Sequence, residues 1–262
     1  MSDSCVSIAL LLPDILGTYS DSGNATVLAQ RLRWRGIHAR VVTCDAGQSP
    51  PTSCDLYVLG GGEDAAQRYA ARWLLEHRAL RTALAGSAVT LAVCAGLQIL
   101  GRWMSDAAGN RHPGAELLDL TTGPRRRRAT GVLLSDCTLP GVGTLCGFEN
   151  HQGATTLGPD ASPLGRVISG IGNGDLHRIL RPTEGALGGQ IIATYLHGPV
   201  LACNPALADY LLTRALGYPL APLEVPDQAA SRQIYHTRFS PFGQHRGTGR
   251  APSVIDTTRH TP

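Results

Sequence analysis

The sequence predicts an α/β fold in which a mixed, mainly parallel central sheet is flanked by helices. Two observations carry this prediction. Up to residue 104, short apolar runs alternate with longer amphipathic segments, which is typical of strand-helix units around a parallel sheet. After residue 105 the chain becomes Gly-rich and turn-rich, which favours short antiparallel or mixed strands. We therefore expect one domain over residues 1–220, followed by a tail over 221–262.

The individual elements follow from the same pattern. Amphipathic segments at residues 24–36 and 64–86 carry apolar residues at helical spacing and end in glycine, a common C-terminal cap. A helix over 204–217 is expected from an asparagine cap and a proline in its first turn. Beyond 220 the chain is rich in Pro, Gly, Ser, Thr and Arg, which predicts a flexible or partner-dependent tail. Buried strands are expected at 6–12, 39–44, 55–60, 88–94 and about 190–196.

Composition excludes several classes of function. The 262 residues carry a formal net charge of +3, from 23 basic and 20 acidic side chains, which is too even to indicate nucleic acid or a membrane as the main partner. The sequence contains no lysine, so it cannot form a Walker-type phosphate loop or a Schiff base. We expect no cofactor and no metal on this chain.

The cysteines indicate a reducing compartment. Their number is odd, they are scattered, and none forms a CxxC pair or a Cys/His pair at zinc spacing. The N-terminal apolar run lacks a basic leading region and is too short to span a bilayer. We therefore expect a cytoplasmic location and no membrane span. The seven cysteines are at positions 5, 44, 54, 94, 137, 146 and 203.

Cys94 occupies a position where a cysteine can serve either as a buried core residue or as a catalytic nucleophile. In "VTLAVCAGLQILG" (89–101) it lies between a strand-like run and a helix-like segment. A cysteine at a strand end is commonly a buried hydrophobe. A helix N-terminus or an adjacent imidazolium, however, favours the nucleophilic thiolate, and the amide of Ala95 would then point at an oxyanion formed beside the sulfur.

Two other predicted strand ends could complete a site with Cys94. "LGGGED" (59–64) offers backbone amides that no side chain obstructs, although glycine at a strand end is also ordinary turn chemistry. His197 ends the apolar run "IIATYLHGP" and could serve as the base, although a lone histidine is more often structural. Loops at the carboxyl ends of adjacent parallel strands meet at one sheet edge, so these groups could converge.

Taken together, these three motifs resemble the triad-type class I glutamine amidotransferases of the CobB/CobQ-like branch. "RRATG" (127–131), "CGFENHQG" (146–153) and "GNGDLHRILRPTEG" (172–185) are similar to the glutaminase subunits of lipid II isoglutaminyl synthases. The resemblance extends over roughly residues 5–217 and implies flavodoxin-like layering of the sheet and helices.

The resemblance implies a role for each motif. Cys94 would attack the side-chain amide of L-glutamine and release ammonia, while His197 shuttles the protons. Backbone amides of Ala95 and Gly62 would bind the oxyanion. Alignment of the arginine run with the family places the glutamine carboxylate at Arg128, with Arg127 the alternative.

The third catalytic group is not evident from the resemblance. Many class I amidotransferases carry a glutamate two residues after the catalytic histidine, but here His197 is followed by Gly198 and Pro199. The group that orients the imidazole therefore comes from elsewhere in the chain, is supplied by a partner, or is missing. Glu149 is an internal candidate. We hypothesise that a partner subunit completes or activates the site.

A partner is also expected because the chain has no nucleotide-binding motif with which to activate an acceptor. The resemblance implies a heterodimer with a Mur-ligase-like subunit of the MurT type, which would carry ATP and Mg²⁺. That subunit would amidate D-glutamate in lipid II, a membrane lipid. The alternatives are a glutaminase subunit of a cobyrinate- or cobyrate-amidating synthase, and a glutaminase-shaped binding subunit without activity.

Overall fold

The structure, a computed structural model, describes residues 5–174, 182–223 and 225. It contains two six-stranded sheets, with helices packed on the first. Of the tail expected over 221–262, all but 221–223 and 225 lies outside the described residues, so its flexibility stays a prediction, as does the domain boundary at 220. No helix in the described part of the chain is long and apolar enough to cross a membrane.

The first sheet confirms the predicted mainly parallel arrangement. Its strands are β1 (Val6–Leu11), β2 (Ala39–Cys44), β3 (Leu56–Leu59), β4 (Val89–Val93), β11 (Ala186–Gly188) and β12 (Ile191–Thr194). Their order in the sheet is β11-β12-β4-β3-β1-β2, and every neighbouring pair is parallel except β11 with β12. Strands β1, β3, β4 and β12 are buried along their whole length, which explains why they read as continuous apolar runs.

The helices follow the predicted order, with one correction. The single helix expected over 64–86 is two helices, because the backbone leaves the helical region at His77 (φ −99°, ψ 71°). Gly217, at φ 75°, ends the last helix in the left-handed conformation that glycine adopts without strain. The helices are α1 (Gly23–Arg33), α2 (Asp64–Glu76), α3 (Arg78–Ala85), α4 (Ala95–Ile99), α5 (Val200–Cys203) and α6 (Pro205–Leu216).

The sequence predicts that Asn204, which precedes α6, caps that helix with its side chain. In the structure its side chain makes no such hydrogen bond. The side-chain oxygen instead accepts the amide N–H of Cys146 at 2.9 Å, and the side-chain nitrogen donates to the carbonyl of Cys146 at 2.7 Å. Asn204 therefore ties the start of α6 to the second sheet.

The second sheet contains longer strands than the sequence predicts. Two of its strands, of 18 and 14 residues, pair antiparallel. Their register shifts between Pro124 and Ala129, so the arginine run at 125–128 lies in an irregular stretch, where a proline that lacks an N–H is tolerated. The strands are β5 (Trp103–Ser105), β6 (Arg111–Pro113), β7 (Leu120–Cys137), β8 (Thr144–Leu157), β9 (Gly165–Ser169) and β10 (Thr183–Glu184), in the order β10-β9-β7-β5-β6 with β8 on β7.

The strand order of the first sheet places four loops at one edge. Strands β12, β4, β3 and β1 are neighbours and run in the same direction. Their carboxyl ends lead into His197, Cys94, residues 60–62 and residues 12–22, respectively. In open α/β sheets this edge is where ligands bind, so the order of strands alone defines the candidate site.

Candidate active site

Cys94 lies between β4 and α4, as the sequence predicts. Its backbone has a positive φ (φ 52°, ψ −104°), which non-glycine residues seldom adopt. The Cys94 amide donates to the carbonyl of Thr194 at 2.8 Å, and this bond holds the turn against β12. A Cβ on Gly96 would lie only 3.0 Å from the carbonyl oxygen of Leu59, so glycine allows α4 to pack closely on β3. Such a strained strand-to-helix turn presents a nucleophile at the sheet edge.

His197 is almost fully buried, and its position is fixed from both sheets. Its amide donates to the carbonyl of Phe148 at 2.8 Å, and its own carbonyl accepts the Phe148 amide at 3.4 Å. Gly61 lies between His197 and the nucleophile: a Cβ there would be 2.7 Å from Cε1 of His197 and 3.3 Å from Cβ of Cys94. The structure thus brings together the two predicted catalytic residues.

Asp21 is the third member of this group. Its carboxylate oxygen Oδ2 lies 2.9 Å from Nδ1 of His197 and also accepts the amide N–H of Gly61 at 2.8 Å. Asp21 is fully buried, between residues 12–20 and α1, and its carbonyl accepts the side-chain amide of Asn24 at 3.0 Å. The group that sequence reasoning left open is therefore a carboxylate of this chain. The available signal was its position after a strand that feeds the same sheet edge.

Glu149, the internal candidate for this role, is placed elsewhere. Its carboxylate accepts the amides of Ile171 and Gly172 at 2.7 and 2.9 Å, and it lies 3.4 Å from Nε2 of His151. None of these partners is His197, which meets the neighbouring residue Phe148 through backbone hydrogen bonds. The suggestion that Glu149 orients the catalytic imidazole is therefore wrong.

The surroundings of His197 favour its protonated form. Burial of the ring lowers its pKa, but hydrogen bonding and charge interactions with Asp21 and Cys94 outweigh this and raise the pKa from 6.5 to about 10. With the Asp21 carboxylate at Nδ1, the ring is therefore a cation at neutral pH. An adjacent imidazolium favours the thiolate form of a cysteine, and a protonated ring can supply a proton to a leaving amine.

A cavity of about 450 Å³ opens beside Cys94. Arg128 lines this cavity and Arg127 does not, which favours Arg128 among the two arginines considered. The Arg128 Nε donates to the side-chain oxygen of Asn150, so the guanidinium is fixed on one edge. The cavity is also lined by Gly62, Gln67, Gln98, His151 and Gln152.

Two backbone amides beside the nucleophile are free to donate. Within residues 5–174 and 182–223, neither the Gly62 amide nor the Ala95 amide makes a hydrogen bond. The Gly61 amide, in contrast, is already used by Asp21. This leaves Gly62 and Ala95 as the available donors, the same pair that the sequence predicts.

Sequence reasoning missed a buried polar chain below the cavity. Gln67 donates to Gln98, whose side-chain nitrogen donates to the hydroxyl of Tyr195 at 3.0 Å. That hydroxyl also lies 2.6 Å from Oγ1 of Thr155, and the ring of His151 stacks on Tyr195 with centroids 3.7 Å apart. These contacts hold the cavity wall rigid, and no local sequence motif reports them.

The fold, with the Cys94–His197–Asp21 group at the edge of its parallel sheet, is that of an α/β enzyme. Residues 7–205 match the CobB/CobQ-like glutamine amidotransferase domain, and the chain belongs to that family.

The chain is also similar to particular members of the class. It is 34% identical to the lipid II isoglutaminyl synthase (glutamine-hydrolyzing) subunit GatD of Staphylococcus aureus, over 86% of this chain and 91% of that protein. It is 31% identical to the corresponding GatD of Streptococcus pneumoniae, over 80% of each. A cobyric acid synthase of Sphingopyxis alaskensis is 29% identical over 64% of this chain, but over only 33% of its own length. The solved structure of a glutamine amidotransferase from Thermotoga maritima aligns with 90% of this chain and 87% of its own at a TM-score of 0.46 and 14% identity.

Proposed function

We propose that this chain hydrolyses L-glutamine through a Cys94 thioester and passes the ammonia to a ligase partner. The observation that carries the proposal is the contact of His197 with Asp21 on one side and its approach to Cys94 on the other. A cysteine paired with an oriented histidine is the arrangement that acyl transfer requires.

In the first step, the Cys94 thiolate attacks the side-chain amide carbon of glutamine. The carbonyl oxygen becomes an oxyanion, which the amides of Ala95 and Gly62 bind. Removal of one such donor typically costs roughly 3 to 4 kcal/mol of barrier. His197 then gives its proton to the amide nitrogen, the C–N bond breaks, and ammonia leaves a glutamyl thioester.

In the second step, neutral His197 accepts a proton from water as the water attacks the thioester carbonyl. A second oxyanion forms at the same two amides. The C–S bond then breaks and releases the product, whose new γ-carboxyl group loses its proton to solvent to give glutamate, with Cys94 again a thiolate and His197 again protonated. Asp21 keeps Nδ1 of the ring protonated and directs Nε2 towards the sulfur throughout.

Arg128 binds the α-carboxylate of glutamine. Its Nε is occupied by Asn150, which leaves the terminal N–H groups of the guanidinium to form the contacts that recognise a carboxylate. The cavity of about 450 Å³ is ample for one amino acid.

The acceptor is assigned from the named relatives. Two GatD subunits of lipid II isoglutaminyl synthases cover most of this chain, which supports amidation of D-glutamate in lipid II to D-isoglutamine. The partner is a Mur-ligase-like subunit of the MurT type, which supplies ATP and Mg²⁺ chemistry that a chain without lysine lacks. Seven free cysteines support a cytoplasmic location.

Ammonia release from glutamine tests the hydrolytic part. We expect Cys94→Ala and His197→Ala each to abolish it, whereas Cys5→Ala, a change at an exposed free cysteine, leaves it intact. Unchanged ammonia release by the Cys94→Ala variant would exclude the thioester and favour the inactive binding subunit.

The acceptor is tested separately by combining the chain with its candidate ligase. We expect co-purification and glutamine-dependent amidation of lipid II. Amidation of a cobyrinate in place of lipid II would instead favour the cobyric-acid branch, whose Sphingopyxis member is matched over only 33% of its length.

A further inference from the structure

We propose that Asn150 couples the arginine that binds the substrate to the residue that covers the catalytic base, so that Arg128 and His197 do not act independently. This inference rests on the proposed function only in assigning the glutamine carboxylate to Arg128. The coupling itself is a property of the free chain.

Asn150 contacts three parts of the site at once. Its side-chain oxygen accepts Nε of Arg128, and its side-chain nitrogen donates to the hydroxyl of Tyr19. Its backbone carbonyl lies 4.0 Å from the Cys94 sulfur. With both ends of the amide engaged, a shift of the Arg128 guanidinium moves Asn150, and a shift of Asn150 moves Tyr19.

Tyr19 is the outer cover of the catalytic base. Its ring meets the ring of His197 edge-on, with centroids 4.9 Å apart, and it also packs against Phe148 at 5.7 Å. His197 is 1% exposed, whereas Tyr19 is 43% exposed, so Tyr19 stands between the imidazole and solvent. The position of this ring therefore controls how well water reaches His197.

The backbone at Tyr19 makes this cover sensitive to its hydrogen bond. Tyr19 and Ser20 both have a positive φ, 57° and 63°. Residues other than glycine adopt this backbone conformation only when surrounding contacts hold them. Among the described residues, the Tyr19 side chain makes one polar contact, in which its hydroxyl accepts a hydrogen bond from the side-chain nitrogen of Asn150. Loss of that bond releases the ring from its place over His197.

The consequence is a linkage between substrate binding and base orientation. A carboxylate on the terminal N–H groups of Arg128 fixes the guanidinium, which fixes Asn150 and in turn Tyr19 over His197. By thermodynamic reciprocity, a correctly placed Tyr19 must also favour carboxylate binding at Arg128. Tyr19 and Asn150 are thus positioning residues that make the base fully effective when glutamine is bound.

The first experiment needs no glutamine. The rate at which iodoacetamide, which is uncharged, alkylates Cys94 reports on the Cys94–His197 pair. We expect Arg128→Ala to change this rate at least 3-fold in the otherwise unaltered chain, but less than 1.5-fold in chains that already carry Asn150→Ala or Tyr19→Phe. Arg126→Ala removes an equal charge two positions away and serves as the control.

A direct charge effect of Arg128 on the thiolate would give the same fold-change in every background, and that result overturns the proposal. No change in any background overturns it as well. Asn150→Ser is a second variant in case the alanine variant folds poorly, and retained secondary structure by circular dichroism qualifies each protein.

The second experiment measures kcat and KM for glutamine. We expect Tyr19→Phe and Asn150→Ala each to raise KM about 5-fold, with no further increase in the double variant, because both break one path. Tyr19→Ala, which also removes the ring, should in addition shift the pH profile of kcat. Additive effects on KM would contradict the coupling. If glutamine is not hydrolysed but the alkylation cycle holds, the proposed function fails and the coupling stands.

Discussion

Asp21 and His197, which are 176 residues apart in the chain, meet through Oδ2 and Nδ1 at 2.9 Å. The contact is possible because β1 and β12 end at the same sheet edge, and Gly61, whose amide also binds Oδ2, lies between them. A chain that lacks a glutamate two residues after this histidine thus orients the ring from the loop that follows β1.

Replacement of Asp21 by asparagine should disable the base without removing it. An amide cannot stabilise the imidazolium and permits the wrong tautomer, which in serine hydrolases costs up to about 10⁴ in kcat. We expect kcat for ammonia release to fall by about 10² to 10⁴, with KM changed little. Asp14→Asn, in the same loop, is the matched control, since within the described part of the chain the Asp14 carboxylate accepts a hydrogen bond only from the amide of Ala46. Full activity of Asp21→Asn would return the partner to the role of third group.

The same pair should make stability depend on pH. The folded pKa of His197, about 10, exceeds its unfolded value near 6.5, so the native state gains protons over this range. The resulting stability is complete below about pH 6.5 and is lost as pH rises through 10. Urea unfolding at pH 6, 8 and 10 should therefore show the gap between wild type and Asp21→Asn shrinking with pH. A gap that is constant or grows would contradict the charge interaction.

Gly61 should not tolerate a methyl group. A Cβ there would come within 2.7 Å of Cε1 of His197 and 3.1 Å of Oδ2 of Asp21, so the ring must move. A displacement of about 1 Å at a reacting group can cost about 100-fold in rate, and we expect a loss of that size in kcat for Gly61→Ala. Gly123→Ala, where an added Cβ meets nothing within 4 Å, should keep its activity. If Gly61→Ala and Gly123→Ala are equally active, the loop at residues 60–62 accommodates the added methyl group without displacing His197.

Glu184 should destabilise the protein above neutral pH. Burial raises its pKa from 4.5 to about 7, against the hydrogen bonds from Thr194 and Tyr195, which lower it. Its native form therefore binds a proton that the unfolded chain releases, so stability falls as pH rises from about 4.5 to 7 and then stays low. The loss is on the order of 3 kcal/mol.

Glutamine at position 184 keeps an acceptor for both hydrogen bonds and cannot ionise. Relative to wild type, Glu184→Gln should thus gain stability between pH 5 and pH 8, measured by urea unfolding. Glu76→Gln, at an exposed position, should show no such pH dependence. If the free energies of unfolding of wild type and Glu184→Gln change with pH in parallel, the Glu184 carboxylate is already charged in the native state over this range. That result would contradict the raised pKa.

The sequence was informative where chemistry follows a strand. Cys94, His197 and Gly62 were predictable because apolar runs end immediately before them, and parallel strands bring such ends together. Asp21 lies ten residues beyond β1, in a polar loop whose path depends on left-handed residues at 19 and 20, which no periodicity reports. The break at His77 was missed because local propensity continues through it.

Glu149 shows a different limit. Its type and motif fitted the role of a supporting carboxylate, but its carboxylate binds the amides of Ile171 and Gly172, which follow β9. These partners come together through the pairing of β7 with β8 and with β9, which no local sequence motif reports.

The hydrogen bond from the Cys94 amide to the carbonyl of Thr194 has one more consequence. Cys94 and His197 follow the adjacent strands β4 and β12, whereas Asp21 lies in the loop after β1, and β3 and β4 separate β1 from β12. Small fluctuations of the sheet therefore leave nucleophile and base together and act first on the Asp21–His197 bond. On mild heating, glutamine turnover should therefore be lost below the temperature at which the protein unfolds, because the Asp21–His197 hydrogen bond breaks first.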